Sequence, residues 1–297
     1  MHTDPIKQEV ELEVRKAVIP AAGWGTRFLP VTRAYPKELL PLINKPLIQY
    51  AVEEAINSGI KEIIIVIAEG KCSIPDYFKP APELRALLRA RGEKKLADDL
   101  ERLDNLNDIK YVTQPERLGL GNAVLMAQKA VGDEPFAVIL PDDVIDAREP
   151  VIAQMLKIFK KYETSVVGVE CIDTEEIHRY GVIRPETVSP RVHRVLSLVE
   201  KPAPEVAPSH LGIVGRYILT PQIFQAIEAT QPGSGGEIQL TDAAALLLRS
   251  QPIYALEFAG QCFDTGNPQG WLEAQMAMGL KHPEFGDYLR EKLRRMI

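Results

Sequence analysis

The sequence has 297 residues, of which 45% are hydrophobic, 26% charged and 6% aromatic, and this average composition excludes disordered, fibrous and disulfide-rich proteins. The formal net charge of −6 argues against a nucleic acid as the main partner. No apolar stretch reaches the length of a signal-peptide core or of a membrane span, so we expect a cytoplasmic protein with no membrane partner.

Short apolar runs alternate with helical patterns over the first 170 residues. The predicted strands cover residues 16–21, 62–67, 109–113, 136–141 and 164–170. A helix is predicted from Pro46 to just before Gly59, and the charged stretch 82–103 is predicted to be an inserted surface helix. Continuous apolar strands separated by helices are typical of a mainly parallel sheet, which binds its ligands at the carboxyl ends of the strands.

The pattern changes after about residue 175, where strands follow one another with tight turns. We expect a mixed or antiparallel extension that packs against the parallel sheet and closes one side of a cleft. Helices are predicted again from Pro221, over 239–250 and over 283–297. The predicted fold class is α/β, with a Rossmann-like, mostly parallel mixed sheet, helices on both faces and a smaller β-rich extension.

A glycine-containing loop follows the first predicted strand, with the sequence AAGWGTR over residues 21–27. The backbone N–H groups of such a loop suit a phosphate or the edge of a nucleobase. A dinucleotide-binding fingerprint would need a small residue where Phe28 stands, and a Walker A loop would need a Gly-Lys-Ser/Thr sequence that is absent. The loop therefore matches neither of these two phosphate-binding motifs.

Three cations accompany the glycine loop, namely Arg27, Arg33 and Lys37, and prolines stand between and after them. Because proline fixes φ and reduces the freedom of the unfolded loop, the cations can be held in place at reduced entropic cost. This arrangement fits a triphosphate site. The alternative is a basic turn that is simply exposed to solvent.

Carboxylates follow two of the predicted strands. Asp142 and Asp143 come at the carboxyl end of the strand over 136–141, and Asp264 also lies just past a strand. Mg²⁺ prefers one or two carboxylates together with phosphate oxygens of the substrate. Asp142 is therefore a candidate magnesium ligand, and Asp264 is a second one.

Two further segments carry candidate ligand contacts. Glu200 supplies a carboxylate that can accept hydrogen bonds from hydroxyl groups, and the adjacent Lys201 supplies a cation that can bind phosphate. The amide of Gln114 can read the edge of a base, and the sequence GLGNA over 119–123 opens a helix with glycines that permit the close approach of a ligand.

These segments, in this order, make the chain similar to the bacterial UTP–glucose-1-phosphate uridylyltransferases, a branch of the sugar-phosphate nucleotidyltransferases. The similarity covers roughly residues 14–290 and is weakest over 68–108. The segments that carry it are AVIPAAGWGTRFLPVTRAYPKELLPLINKPLIQY, GLGNAV, VILPDD, YGVI, LVEKP, IVGRYILTP, GGEIQLTDA and FDTGNPQGW.

The resemblance implies a transferase of carbohydrate metabolism that takes UTP and glucose 1-phosphate as substrates, uses Mg²⁺ as its cofactor and forms a homodimer or homotetramer. It implies a nucleotidyltransferase domain over residues 14–280, with a nucleotide-binding part at about 14–170 and a sugar-binding part at about 171–280. An N-terminal tail (1–13) and a C-terminal helix (281–297) flank this domain.

The resemblance also implies a role for each site residue. The implied nucleotide contacts are Ala21, Ala22, Gly23, Gly25, Thr26, Glu38, Gln114 and Gly119. The implied catalytic residues are Arg27 and Lys37 at the triphosphate, Asp142 at Mg²⁺ and Lys201 at the sugar phosphate. The implied sugar contacts are Gly181, Glu200 and Lys201, and the implied metal ligands are Asp142 and Asp264.

The implied reaction is an in-line attack of glucose 1-phosphate on the α-phosphorus of UTP, which gives UDP-glucose and pyrophosphate without a covalent intermediate. A phosphate monoester with a second pKa of about 6 is already ionised at neutral pH, so no general base is needed. None of the five histidines lies in the matching segments. We therefore expect catalysis to rest on charge neutralisation and positioning.

Several positions depart from the usual pattern of this family. Trp24 stands where leucine or phenylalanine is common, Arg33 where lysine is common and Asn122 where histidine is common, and residues 67–78 lack a basic run. Three alternatives stay open: an enzyme that uses another nucleotide or sugar, such as one that transfers a thymidylyl group, a non-catalytic paralogue that binds nucleotide sugars, and an NAD-binding oxidoreductase. The last is disfavoured by Phe28.

Overall fold

The computed structural model describes residues 12–106 and 108–296, so most of the predicted N-terminal tail lies outside the described residues. The strands are β1 (Lys16–Ala21), β2 (Pro41–Leu42), β3 (Lys45–Pro46), β4 (Glu62–Ala68), β5 (Asp108–Gln114), β6 (Phe136–Ile139), β7 (Asp143–Asp146), β8 (Val166–Cys171), β9 (Gly181–Ser189), β10 (Val192–Glu200), β11 (Leu211–Leu219), β12 (Tyr254–Glu257) and β13 (Gln261–Asp264).

The helices alternate with these strands. They are α1 (Leu47–Asn57), α2 (Ser73–Tyr77), α3 (Pro82–Ala90), α4 (Lys94–Asp104), α5 (Leu120–Met126), α6 (Gln128–Val131), α7 (Val151–Tyr162), α8 (Gln222–Ala229), α9 (Leu240–Leu247), α10 (Pro268–Lys281) and α11 (Gly286–Met296). Within the described ranges, no helix is both long enough and apolar enough to cross a membrane.

In the part of the chain that the structure describes, nine strands form one mixed sheet in the order β5-β4-β1-β6-β11-β8-β12-β10-β9. β5, β4, β1 and β6 are parallel, whereas β11 is antiparallel to both of its neighbours, β6 and β8. The predicted α/β class and the five predicted strands of the first 170 residues are confirmed.

The core lies on both faces of this sheet, because successive side chains of a strand point to opposite sides. In β4, Ile64 and Val66 pack into the cluster covered by α5, α8 and α9. Ile63 and Ile65 pack into the opposite cluster, which α1 and α7 cover. This two-sided burial explains why β4 is a continuous apolar run.

Two local predictions differ from the structure. The charged stretch forms two helices, α3 and α4, because the chain turns at Gly92, whose φ of +79° favours glycine. The β-rich extension does not pack on the sheet as a separate layer. Its strands join the sheet edge to edge, and β11 lies between β6 and β8.

We expect the substitution Phe136→Ala to lower the free energy of unfolding by about 3–5 kcal/mol, because it removes a fully buried ring and leaves a cavity. Phe136 is 0% exposed and stacks on Phe224, with the ring centroids 5.2 Å apart. Urea denaturation measures the change. Val206→Ala, at a position that is 70% exposed, is the control and should change stability by less than about 0.5 kcal/mol.

Candidate active site

A buried arginine holds the turn that carries Asp142 and Asp143. The guanidinium of Arg216, on β11, donates to the carbonyl oxygen of Leu140 at 3.0 Å and to that of Asp143 at 2.7 Å. It also forms a bidentate ion pair with Glu54 of α1, with N–O distances of 2.8–3.0 Å. Both ends of the turn after β6 are thereby fixed to the neighbouring strand.

A short ribbon brings Asp264 to the same place. β13 pairs with β7 in antiparallel register, so that Asp264 lies opposite Asp143. The next residue, Thr265, donates from its backbone N–H and from its hydroxyl to the carbonyl oxygen of Asp142, at 2.7 Å in each case. Residues more than 100 positions apart in the sequence therefore meet at the carboxyl end of β6.

Lys37 and Asp142 form a partly buried ion pair, with Nζ and Oδ2 at 2.5 Å. Burial lowers the pKa of Lys37, but the carboxylates of Asp142 and Glu38 outweigh it and raise that pKa above its ordinary value. Burial likewise raises the pKa of Asp142, but Lys37 lowers it to below its ordinary value. Each residue thus keeps the other in its charged form.

Asp143 has a different environment from its neighbour. Burial, followed by the nearby charge of Asp142, raises the pKa of Asp143 to about 7. Its Oδ2 accepts a hydrogen bond from the backbone N–H of Gly215 at 2.9 Å. Asp143 therefore belongs to the site as a second, less acidic carboxyl group.

A cavity of about 330 Å³ opens beside these carboxylates. The sequence-predicted residues that line it are Arg27, Gly181, Glu200, Lys201 and Asp264. They come from the glycine loop, β9, the end of β10 and β13. The structure thus gathers predicted triphosphate, sugar and metal residues from four separate segments around one space.

Further residues of this cavity were missed by the sequence analysis. His178 and Arg179 line it although no histidine lies in the matching segments, and Tyr180 and Thr241 line it as well. Arg179 forms an ion pair with the Oδ2 of Asp264. No local sequence signal points to Arg179, because its partner lies 85 positions away.

The glycine loop borders a second cavity, of about 660 Å³. Thr26 and Arg33 line it, and so do Trp24, Lys71 and Arg117. The guanidinium of Arg117 stacks on the ring of Trp24 at 3.5 Å from the centroid. A large aromatic ring at position 24 therefore has a partner within the chain.

Lys71 supplies a cation from the stretch that lacks the expected basic run. Its Nζ donates to the carbonyl oxygen of Gly23 at 2.8 Å and lies 3.8 Å from the Oε2 of Glu38. Glu38 is 2% exposed, and its burial raises the pKa of the carboxyl group. Glu38 therefore lies beneath the glycine loop and is linked to it through Lys71.

Gln114 and Gly119 lie at the same edge of the sheet, at the end of β5 and the start of α5. The side-chain nitrogen of Gln114 donates to the Oδ1 of Asn122 at 2.7 Å and to the carbonyl oxygen of Gly119 at 3.3 Å. A Cβ at Gly119 or Gly121 would lie 2.8–3.0 Å from Glu237 or Ile238. These glycines permit the close approach of Glu237 and Ile238, at a place where the sequence pattern predicted the close approach of a ligand.

The carboxylates of Asp142 and Asp264 fit a hard cation. A Cβ at Gly266 would lie 2.8 Å from the Oδ2 of Asp142 and 2.9 Å from the Oδ1 of Asp264, so both carboxylates border the same small space. Within residues 12–106 and 108–296, no group of three or more His, Cys, Asp and Glu side chains could hold a metal ion. The pair therefore suits a cation that takes its other ligands from substrate or water.

Comparison with known proteins extends the similarity beyond short motifs. The family model described as Nucleotidyl transferase matches residues 16–280. A UTP–glucose-1-phosphate uridylyltransferase of Bacillus subtilis (strain 168) is 46% identical over 277 residues, which are 93% of this chain and 95% of the relative. This identity extends over nearly the whole of both chains.

Solved structures agree with this relationship. A UDP-glucose pyrophosphorylase complexed with UDP-glucose is 40% identical, with a TM-score of 0.84, and the match covers 91% of this chain and 100% of that one. A UTP-bound UGPase from Acinetobacter baumannii is 34% identical, with a TM-score of 0.88 and coverage of 96% and 100%.

We expect Arg216→Met to lower the free energy of unfolding by about 3–5 kcal/mol, because it leaves the carboxylate of Glu54 and the turn carbonyls without their buried partner. The double variant that also carries Glu54→Leu should lose less free energy of unfolding than the sum of the losses in the two single variants. Urea denaturation of all three proteins checks this, and additive losses would contradict it. Arg194→Met, at a half-exposed ion pair, is the control and should have little effect.

Proposed function

The chain belongs to the nucleotidyl transferase family and, within it, to the bacterial UTP–glucose-1-phosphate uridylyltransferases, and we propose that it joins UTP and glucose 1-phosphate to give UDP-glucose and pyrophosphate. The observation that carries the proposal is the single cavity at which residues of the glycine loop, β9, β10 and β13 converge beside the Lys37–Asp142 pair. Such a site can hold two phosphate-bearing substrates in contact.

We assign the nucleotide to the carboxyl ends of the neighbouring strands β1, β4 and β5. The backbone of residues 21–23 and the side chain of Gln114 hold the base, and Gly25 and Thr26 continue the loop along the nucleotide. Arg27 and Lys37 face the triphosphate. The support is positional, because ligands of parallel sheets lie at the carboxyl ends of the strands.

We assign the sugar phosphate to the cavity side formed by β9 and β10. Gly181 and Glu200 contact the sugar, and Lys201 contacts its phosphate. Each part of the domain then forms one wall of the cavity. The nucleotide-binding part is residues 14–170, and the sugar-binding part is residues 171–280. The supporting observation is that Gly181, Glu200 and Lys201 all line the 330 Å³ cavity.

The attacking group is an oxygen of the sugar phosphate, and it forms a bond to the α-phosphorus of UTP while the bond to pyrophosphate breaks. Since this phosphate is already ionised, the protein removes no proton. What it must overcome is the repulsion between two anions. Arg27, Lys37 and Lys201 do so as fixed cations that need no rearrangement during the reaction.

Asp142 and Asp264 would hold Mg²⁺, which, when bound, neutralises charge on phosphate oxygens. Lys37 keeps Asp142 ionised, and Arg179 and the side-chain nitrogen of Asn267 keep Asp264 in place. The two carboxylates are therefore positioned before any ligand arrives.

We further propose that the chain acts in the cytoplasm as a homodimer or homotetramer. The three cysteines are free thiols, which fits a reducing compartment. Helix α11 follows the proposed catalytic domain and carries exposed side chains such as Tyr288 and Met296. It is a candidate contact between subunits.

We expect Lys201→Ala to lower kcat/KM for glucose 1-phosphate by about 10²–10³, because it removes one fixed cation from the pair of phosphates. The measurement is pyrophosphate release with UTP, glucose 1-phosphate and Mg²⁺. Lys94→Ala, at an exposed lysine of α4, is the matched control. A wild-type chain that forms no UDP-glucose would refute the proposed function, and a near-normal Lys201→Ala rate would remove Lys201 from the mechanism.

We expect EDTA to abolish turnover and Mg²⁺ to restore it. Asp142→Asn should raise the Mg²⁺ concentration for half-maximal rate on the order of tenfold or more, since an amide is a weaker ligand for a hard cation than a carboxylate. Asp146→Asn, at the far end of β7 and paired with Lys281, should leave that concentration unchanged. An identical Mg²⁺ dependence in wild type and Asp142→Asn would contradict the assignment.

A further inference from the structure

A buried amide pair lies where the base is proposed to bind. Gln114 is the last residue of β5 and is 3% exposed, and Asn122 lies in the first turn of α5 and is 9% exposed. Gln114 is in register with Ala68 of β4, and β4 is the neighbour of β1, which ends at Ala21. Neighbouring strands are about 4.8 Å apart, so the pair lies roughly 10 Å from the glycine loop, which is a distance that a bound base can bridge.

The orientation of the Gln114 amide is set by its surroundings. The carbonyl oxygen of Gly119 is held by the helix, because it accepts the backbone hydrogen bond of Ala123 at 3.1 Å. A carbonyl can only accept, so the Gln114 atom that faces it must be the amide nitrogen, Nε2. The same nitrogen faces Asn122, at 2.7 Å, and Asn122 must therefore present its own oxygen.

This arrangement leaves one acceptor and one donor available. No residue in the described ranges donates to the Oε1 of Gln114, and none accepts from the Nδ2 of Asn122. The buried side-chain atoms that lack a partner within those ranges are in Glu38, Glu62 and Arg117. Since Gln114 and Asn122 are not among them, both free atoms are open to solvent or to a ligand.

An acceptor beside a donor complements the imide edge of uracil. Uracil carries an N3–H donor with a carbonyl acceptor on each side, whereas N3 of cytosine is itself an acceptor and would face the oxygen of Gln114. We infer that Asn122 is a positioning residue that fixes the amide of Gln114 with its oxygen toward the base, and that it thereby selects uracil over cytosine. The inference rests on the proposed function, which places the base at this edge of the sheet.

The size of the expected change in the preference for uracil over cytosine follows from the hydrogen bonds involved. If the acceptor on Asn122 is removed, the amide of Gln114 is held only by the longer contact to Gly119 and can turn its nitrogen toward N3 of cytosine. A hydrogen bond contributes about 0.5–1.5 kcal/mol to binding, which corresponds to a change of about two- to tenfold in a dissociation constant. Loss of one good contact to uracil and gain of one to cytosine should change the preference by about tenfold.

The test is calorimetric titration of the full chain with UTP, CTP and 5-methyl-UTP, each with Mg²⁺. Wild type should prefer UTP to CTP, and Asn122→Ala should reduce that preference by about tenfold. The ratio of UTP to 5-methyl-UTP should stay unchanged, because both bases carry the same imide edge. Asn105→Ala, at an exposed asparagine, is the matched control.

If Asn122→Ala weakened the binding of all three nucleotides equally, Asn122 would have a merely structural role and the inference would be overturned. An unchanged preference for UTP over CTP would also overturn it. Asn122→Leu, which fills the space of the side chain, gives the same reading if Asn122→Ala does not fold. A wild type that does not distinguish UTP from CTP yet forms UDP-glucose would refute this inference alone. A wild type that prefers UTP without turnover would refute the proposed function alone.

Discussion

The bidentate pair of Arg216 and Glu54 is the interaction on which the site depends. A guanidinium that is 2% exposed has lost its water, and only a carboxylate together with several carbonyl oxygens can offset that loss. Arg216 finds these partners in α1, in its own strand and at both ends of the turn after β6. The position of Asp142, and with it the docking of Thr265, follows from this one buried charge.

The charges around the cavity are already paired before a substrate arrives. Lys37 pairs with Asp142, Arg179 with Asp264, and Lys201 with Glu200. Each pair holds a long side chain in one place, which lowers the entropy that binding would otherwise have to remove. The arrangement also explains why so many cations can lie together near a glycine loop in an acidic protein.

Much of the fold could be predicted because it depends on local patterns. The strands that are buried on both faces, such as β4, are visible as apolar runs, and the residues of the glycine loop are close together in sequence. Arg179 and Arg216 could not be assigned in this way, because each acquires its role from a partner that the fold brings near from a distant part of the chain. Asn122 lies only eight positions from Gln114, but the sequence does not show which atoms of the two amides face each other. Lys71 is a similar case, since a single lysine in a short loop gives no signal until its contact with Gly23 is seen.

The docking of Thr265 on Asp142 has a consequence for synthesis of the protein. Translation delivers Asp142 well before Asp264, so the ribosome must synthesise every strand from β7 to β13 before the two carboxylates can meet. The early parallel strands can form sooner, but a nascent chain that does not yet include β13 lacks Asp264. Premature termination upstream of β13 would therefore yield a product that lacks half of its carboxylate pair, rather than a slower version of the same catalyst.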